Sequence, residues 1–116
     1  MSEPIRRLGN SPRYADVVIH RGVAQWVEVA EDTSADARRQ IAQVLSQIDA
    51  TLVALGADQS RLLSVMIYLA DLGDAGTLNE LWDAWVPRGS PPIRACVQAG
   101  LQGTLRVEMI VTAAVD

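Results

Sequence analysis

The sequence predicts an α+β domain, two helices lying on one face of a mixed β-sheet, and three observations lead there. Two stretches repeat apolar residues at steps of three and four, the period of a helix with one buried side. Several short runs rich in β-branched residues alternate with period two, as half-buried strands do. Glycine and proline punctuate these segments, and no repeat or linker divides the 116 residues, so 1–116 read as a single domain.

Asp16 to His20 (DVVIH) and Val23 to Val29 (VAQWVEV) read as a hairpin around Arg21-Gly22. Thr33-Ser34 supply helix N-cap residues, with Asp36 in the following turn. Ile41, Val44, Leu45, Ile48, Leu52 and Leu55 then form one apolar stripe, and Gly56 is the expected stop. Arg61 to Asp71 reads as a long strand with Leu63, Val65, Ile67 and Leu69 on one side, and Leu62, Ser64, Met66, Tyr68 and Ala70 on the other. Asp74 or Thr77 opens a second helix that places Leu78, Leu81, Trp82 and Trp85 on one side and ends at Pro87. Ile93 to Ala99 and Leu105 to Val115 are strands joined by a Gly100–Gly103 loop. The expected order is ββαβαββ, with a short extra strand near Ile5 to Leu8.

Composition narrows the function classes. Hydrophobic residues make up 49% but aromatics only 4%, with no Phe, so the core must be built from Val, Leu, Ile and Ala. The net charge is −4 and there is no Lys/Arg run, which argues against binding nucleic acid through phosphate neutralisation. A single cysteine, Cys96, excludes an internal disulfide and suits a reducing compartment. A single histidine, His20, cannot build a His-rich metal site, and no CxxC or HExxH spacing occurs. Met1 to Arg7 is charged and does not read as a signal peptide, and Leu62 to Ala70 is far short of the ~18 residues of a membrane span. The expected location is the cytoplasm, with no membrane partner.

Two helices cover only one sheet face, so the face with Leu62, Met66 and Tyr68 is expected to be open in a monomer and closed in a homo-oligomer. If the odd residues of the last two strands face the core, the even residues Arg94, Cys96 and Glu108 share that open face. An arginine there offers a two-pronged donor to a carboxylate ligand, and a neighbouring Glu can exchange protons with a bound water. The same two residues also suit a structural cross-strand salt bridge. Cys96 reads as a small buried hydrophobe rather than a nucleophile, and Trp82 and Trp85 as core or interface anchors.

Pro92-Ile93-Arg94-Ala95-Cys96-Val97-Gln98-Ala99 followed by Val107-Glu108 resembles the signature of the RidA/YjgF family of enamine/imine deaminases, P-x-R-x-x-V with a later V-E. Asn79-x-x-Trp82-x-x-Trp85 is similar to that family's N-x-x-Y-x-x-F helix, Leu69-Ala70-Asp71 to its strand ending in L-x-D, and Ile48 through Gly56 to its first helix. The segments Asp16 to His20 and Trp82 to Val86 look most like the YoaB-type branch.

The resemblance implies a chorismate-mutase-like fold and a homotrimer with clefts between subunits. It also implies hydrolysis of small imino acids, of the 2-aminoacrylate or 2-iminobutyrate type, to 2-oxo acids and ammonia without metal or organic cofactor. By position, Arg94 would hold the substrate carboxylate and Glu108 the attacking water. Cys96 would line the pocket through its backbone, and Tyr14 would wall it from the partner subunit. One position departs. Where the family has S-G-Q, or T-G in the YoaB-type branch, this chain has Val27-Glu28-Val29. Glu28 adds bulk and negative charge where glycine would let substrate approach the backbone, and is expected to repel an anionic ligand or to pair with Arg94. A non-catalytic trimer binding a small carboxylate metabolite in the same clefts is the alternative, and ribonuclease activity is disfavoured by the acidic charge.

Overall fold

Why the strands fall where they do is visible in a computed structural model that describes residues 4–116. The charged stretch Met1 to Arg7 lies in part outside the described residues. In chain order the elements are β1 (Arg6–Leu8), β2 (Val17–His20), β3 (Val23–Val29), α1 (Ala37–Ala54), β4 (Leu62–Leu69), α2 (Ala75–Trp85), β5 (Ile93–Gln98) and β6 (Val107–Ala114). They form a six-stranded sheet in the order β1-β2-β3-β6-β4-β5. Only β4 and β5 pair in parallel, because α2 carries the chain back between them; the other pairs are antiparallel.

Arg21 and Gly22 turn the β2–β3 hairpin with both φ values positive, at 52° and 76°. That pair of left-handed residues matches the twist of the flanking strands. The N-cap of α1 is Asp36, whose carboxylate accepts from the Arg39 backbone N–H at 2.9 Å. Thr33 and Ser34, expected as caps, belong to the preceding loop, where the Thr33 carbonyl accepts from Gln40 and Thr104 side chains. At the other end Gly56, at φ 75°, closes α1 with the Ala57 N–H donating to the Leu52 carbonyl and the Gly56 N–H to that of Val53. Asp74 precedes α2, but its carboxylate is taken by the Arg106 guanidinium at 2.6 Å and caps nothing.

The apolar stripes of both helices fall on the same sheet face. Ile41, Val44, Leu45, Ile48 and Leu52 of α1, with Leu78 and Trp82 of α2, join Trp26, Val65, Ile67, Leu69, Val107, Met109 and Val111 in a single buried cluster. One expectation is corrected here. A β-bulge between Leu62 and Ser64 inserts Leu63 as an unpaired residue, so Leu62 is 5% exposed and in the core while Leu63 is 44% exposed. Strict alternation would place them the other way round. Among the described residues no helix is long and apolar enough to cross a membrane.

Candidate functional site

Arg94 sits on β5, the edge strand, and its surroundings come from α2. Asn79 and Trp82 lie one helical turn apart, so both point the same way along α2. Asn79 Oδ1 accepts from Arg94 Nη2 at 2.9 Å, and the guanidinium carbon lies 5.3 Å from the Trp82 ring centroid. This is a cation–π seat. Trp82 is braced in turn by Trp85, ring centroids 5.3 Å apart, whose indole N–H donates to Asp49 of α1. The Asn79-x-x-Trp82-x-x-Trp85 spacing therefore fixes one guanidinium edge and leaves the other N–H groups of Arg94 available. Asn79 is the residue here that reading for chemistry misses; its signal was the three-residue step to Trp82.

Glu28 lies elsewhere. It is the penultimate residue of β3, on the helix-covered face, and lines a cavity of about 520 Å³ with Tyr14, Asp16, Trp26, Val29 and Thr51. Its carboxylate accepts from the Trp26 indole N–H at 3.1 Å, from Thr51 Oγ1 at 3.2 Å and from Gln47 Nε2 at 3.0 Å. Gln47 and Thr51 are one turn apart on α1, a signal legible only once α1 is known to pass over the end of β3. Tyr14 stands in the loop before β2 and is 67% exposed at the cavity's rim.

The pairing registers decide which residues share a face. Val65 pairs with Arg94 and with Val111, and Ile67 pairs with Cys96 and with Met109. Arg94 and Cys96 are thus on the helix-covered face. Glu108 pairs with Tyr68 and with Val29 on the opposite, open face. The expectation that Arg94, Cys96 and Glu108 share the face opposite the helices is corrected, and so is the core side of β5. Ile93 and Val97 point to the open face, at 72% and 46% exposure. The reason is local: β5 is an edge strand, and Trp82 and Asn79 give an arginine a place on its covered side.

The register also separates Glu28 from Arg94. Glu28, Met109, Ile67 and Cys96 form one row across β3, β6, β4 and β5. Three steps of ~4.8 Å put the ends of that row about 14 Å apart. Glu28 does not pair with Arg94 of its own chain.

The chemistry available is narrow. All ten basic residues are arginines, so no lysine can form a covalent imine with a carbonyl. Burial pushes the Cys96 thiol up, only partly offset by the Arg94 charge, so it is held as a thiol and is a poor nucleophile. Among the described residues no group of three His, Cys, Asp or Glu could hold a metal. What remains is an arginine pre-set for an oxyanion, a carboxylate on an apolar sheet face, and a cavity walled by Tyr14 and Glu28.

These features define a small α+β protein with an arginine anchor on an edge strand and an open apolar sheet face. The chain belongs to the RidA/YjgF family: the family described as Endoribonuclease L-PSP matches residues 9–115. It is 43% identical over 112 residues to RutC family protein YoaB of Escherichia coli K12, covering 96% of this chain and 98% of that protein. A crystal structure of a YjgF family member from Neisseria meningitidis superposes with a TM-score of 0.91 at 39% identity, covering 100% of this chain and 98% of that one. Over a shorter stretch of 68 residues, 58% of this chain and 50% of the other, it is 37% identical to a Mus musculus protein named 2-iminobutanoate/2-iminopropanoate deaminase.

Proposed function

We propose that the chain is a cofactor-free hydrolase of small 2-imino acids, acting in clefts between the subunits of a cytoplasmic homotrimer. The observation that carries this reading is the guanidinium of Arg94, held by Asn79 and Trp82 with its other N–H groups available to a substrate carboxylate. The mouse relative's name supplies the reaction class. Water held by Glu108 attacks C2 of the imine while the carboxylate takes its proton. That proton passes to nitrogen, giving a carbinolamine; the new hydroxyl then gives its own proton, through Glu108, to the amino group as the C–N bond breaks, so that ammonia leaves with the electron pair and the 2-oxo acid remains. No oxidant, metal or organic cofactor enters this balance. Arg94 and Glu108 stand on opposite faces of one sheet, so they cooperate where a second copy closes the cleft. Tyr14 and Glu28 wall that cleft from the partner subunit, and Cys96 lines it through its backbone. An acidic chain without a basic stripe is poorly suited to RNA.

A second reading, a trimer that binds a carboxylate metabolite without turning it over, is favoured by one observation: Glu28 fills cavity space with fixed negative charge. A coupled assay that generates 2-iminobutyrate in situ separates the two. Faster loss of the imine with the protein than without it supports the hydrolase, and an unchanged rate favours the binder. In either case Arg94→Ala weakens binding of small 2-oxo acids by calorimetry, by about 2–5 kcal/mol. Unchanged affinity would relegate Arg94 to a structural role.

A further inference from the structure

We infer that Asp49 is a positioning residue for Arg94, acting through Trp85 and Trp82 rather than by pairing with the guanidinium. The inference rests on the reading of Arg94 as the anchor for a substrate carboxylate, and adds the side chain that aims it. Asp49 stands half-buried on α1 and lines two recesses of about 380 and 260 Å³. Its two oxygens accept the Trp85 indole N–H at 3.1 and 3.0 Å, and Oδ1 also accepts from Gln59 Nε2 at 2.9 Å. Trp85 follows Trp82 by three residues on α2, so the two rings share one side of the helix. They meet with centroids 5.3 Å apart and planes tilted by 51°. The Trp82 ring in turn carries the Arg94 guanidinium carbon 5.3 Å from its centroid. Each link is directional. The indole N–H fixes the rotation of Trp85, the tilted contact fixes that of Trp82, and the Trp82 ring seats the guanidinium.

Packing alone does not hold Trp85. It is only half-buried, and with Asp49, Leu81 and Ala84 it lines the smaller recess, so an unbonded indole has room to turn. Among the described residues two side-chain links join α2 to α1. One, Arg38–Glu80, lies between side chains 54% and 65% exposed, where an ion pair contributes little. The other is Trp85 to Asp49. α2 has only 11 residues, has no side-chain cap at its start, and stops before Pro87. Its last turn, which carries both tryptophans, therefore takes its rotation from Asp49. If Trp82 shifts, Asn79 one turn earlier still holds Arg94 Nη2. The guanidinium then swings about that single bond, and its free edge no longer meets a carboxylate squarely.

The test uses the full-length chain, with 2-oxobutyrate as the ligand in calorimetry and Arg94→Ala run in parallel. Asp49→Leu keeps the bulk and loses the acceptors, and Trp85→Phe keeps a ring and loses the N–H. Each should weaken binding about five- to tenfold. Asp49→Asn, which keeps one acceptor oxygen, should recover most of that affinity. Arg38→Ala, which cuts the other link between the helices, should leave it unchanged. In the 2-iminobutyrate assay Asp49→Leu should raise KM and leave kcat within about twofold, because a misplaced anchor weakens substrate and transition state alike. Without turnover the hydrolase reading falls and the calorimetry decides alone. Losses of equal size in Asp49→Leu and Arg38→Ala, or none regained in Asp49→Asn, mark a structural role and overturn the inference. Wild-type affinity in Asp49→Leu and Trp85→Phe, with weaker binding in Arg94→Ala, overturns it too and leaves the reading of Arg94 standing. No binding by the wild type, or unchanged affinity in Arg94→Ala, overturns that reading and the inference with it.

Discussion

Gln40 is a fully buried polar residue at the start of α1, and both ends of its amide are hydrogen-bonded. Its Nε2 donates to the carbonyls of Ala35 and Thr104 at 3.0 Å each and more distantly to that of Thr33, while its Oε1 accepts from the Arg106 backbone N–H at 2.8 Å. One side chain thus ties the loop before α1 to the loop before β6, and through Arg106 to Asp74 at the start of α2. Gln40→Ala removes the partner of the half-buried Ala35 carbonyl and Arg106 N–H and empties a fully buried site, and should lower stability by about 1–3 kcal/mol in urea denaturation at fixed protein concentration. A loss no larger than that of an exposed Gln→Ala change would show that water replaces the amide. Cys96 makes a second prediction at this scale. Burial raises its thiol pKa, so at any given pH it holds less thiolate than a free cysteine. Its alkylation by iodoacetamide should be slower than that of glutathione, with the pH midpoint of the rate moved upward. A midpoint at or below the free value would reopen a nucleophilic role. Cys96 was legible beforehand as a small buried hydrophobe, but the role of Gln40 was not: it falls at a step consistent with the helical stripe, and nothing in its neighbours announces the two distant loops it joins.

At the scale of elements, the β2–β3 hairpin was readable from Arg21-Gly22, but the strain it carries was not. Arg21 occupies the left-handed region at φ 52°, where asparagine or glycine is favoured. Arg21→Asn should raise stability by about 0.5–1 kcal/mol, and Arg21→Val should lower it, as read from denaturation midpoints. Gly22 has a further constraint, because the Val115 N–H donates to its carbonyl at 2.7 Å and an added Cβ would meet the Val115 carbonyl oxygen at 3.1 Å. The bulge in β4 shows the opposite limit. Leu62 and Leu63 are chemically identical, so no pattern of side chains tells which is turned inward. The backbone pairing with β6 tells, by leaving Leu63 without a partner.

For the whole molecule, the open sheet face is the dominant feature. Val27, Ile110, Met66 and Ala95 form one row across it, and Val29, Glu108, Tyr68 and Val97 the next. A face this apolar is expected to be covered by further copies of the chain. Light scattering at micromolar concentration should give three times 12.5 kDa, and Ile110→Arg should give the monomer mass with unchanged far-ultraviolet circular dichroism. A wild-type monomer would remove the shared cleft and with it the cooperation of Arg94 and Glu108.

By itself the sequence determined the element order, the stripes of both helices, the core side of β6, and the family, since each of these rests on residues close together in the chain. Period and capping are local properties, and a motif such as Asn79-x-x-Trp82 survives in one helix turn. Only the tertiary structure decided the side on which Arg94 and Cys96 stand, the swap of Leu62 and Leu63, and the separation of Glu28 from Arg94. These depend on register between strands far apart in sequence. On the edge strand β5 the apolar side, Ile93, Ala95 and Val97, is the one that faces away from the helices, and the outcome turns on what α2 offers: the Trp82 ring and the Asn79 amide hold an arginine on the covered face, a preference that no alternation within β5 contains.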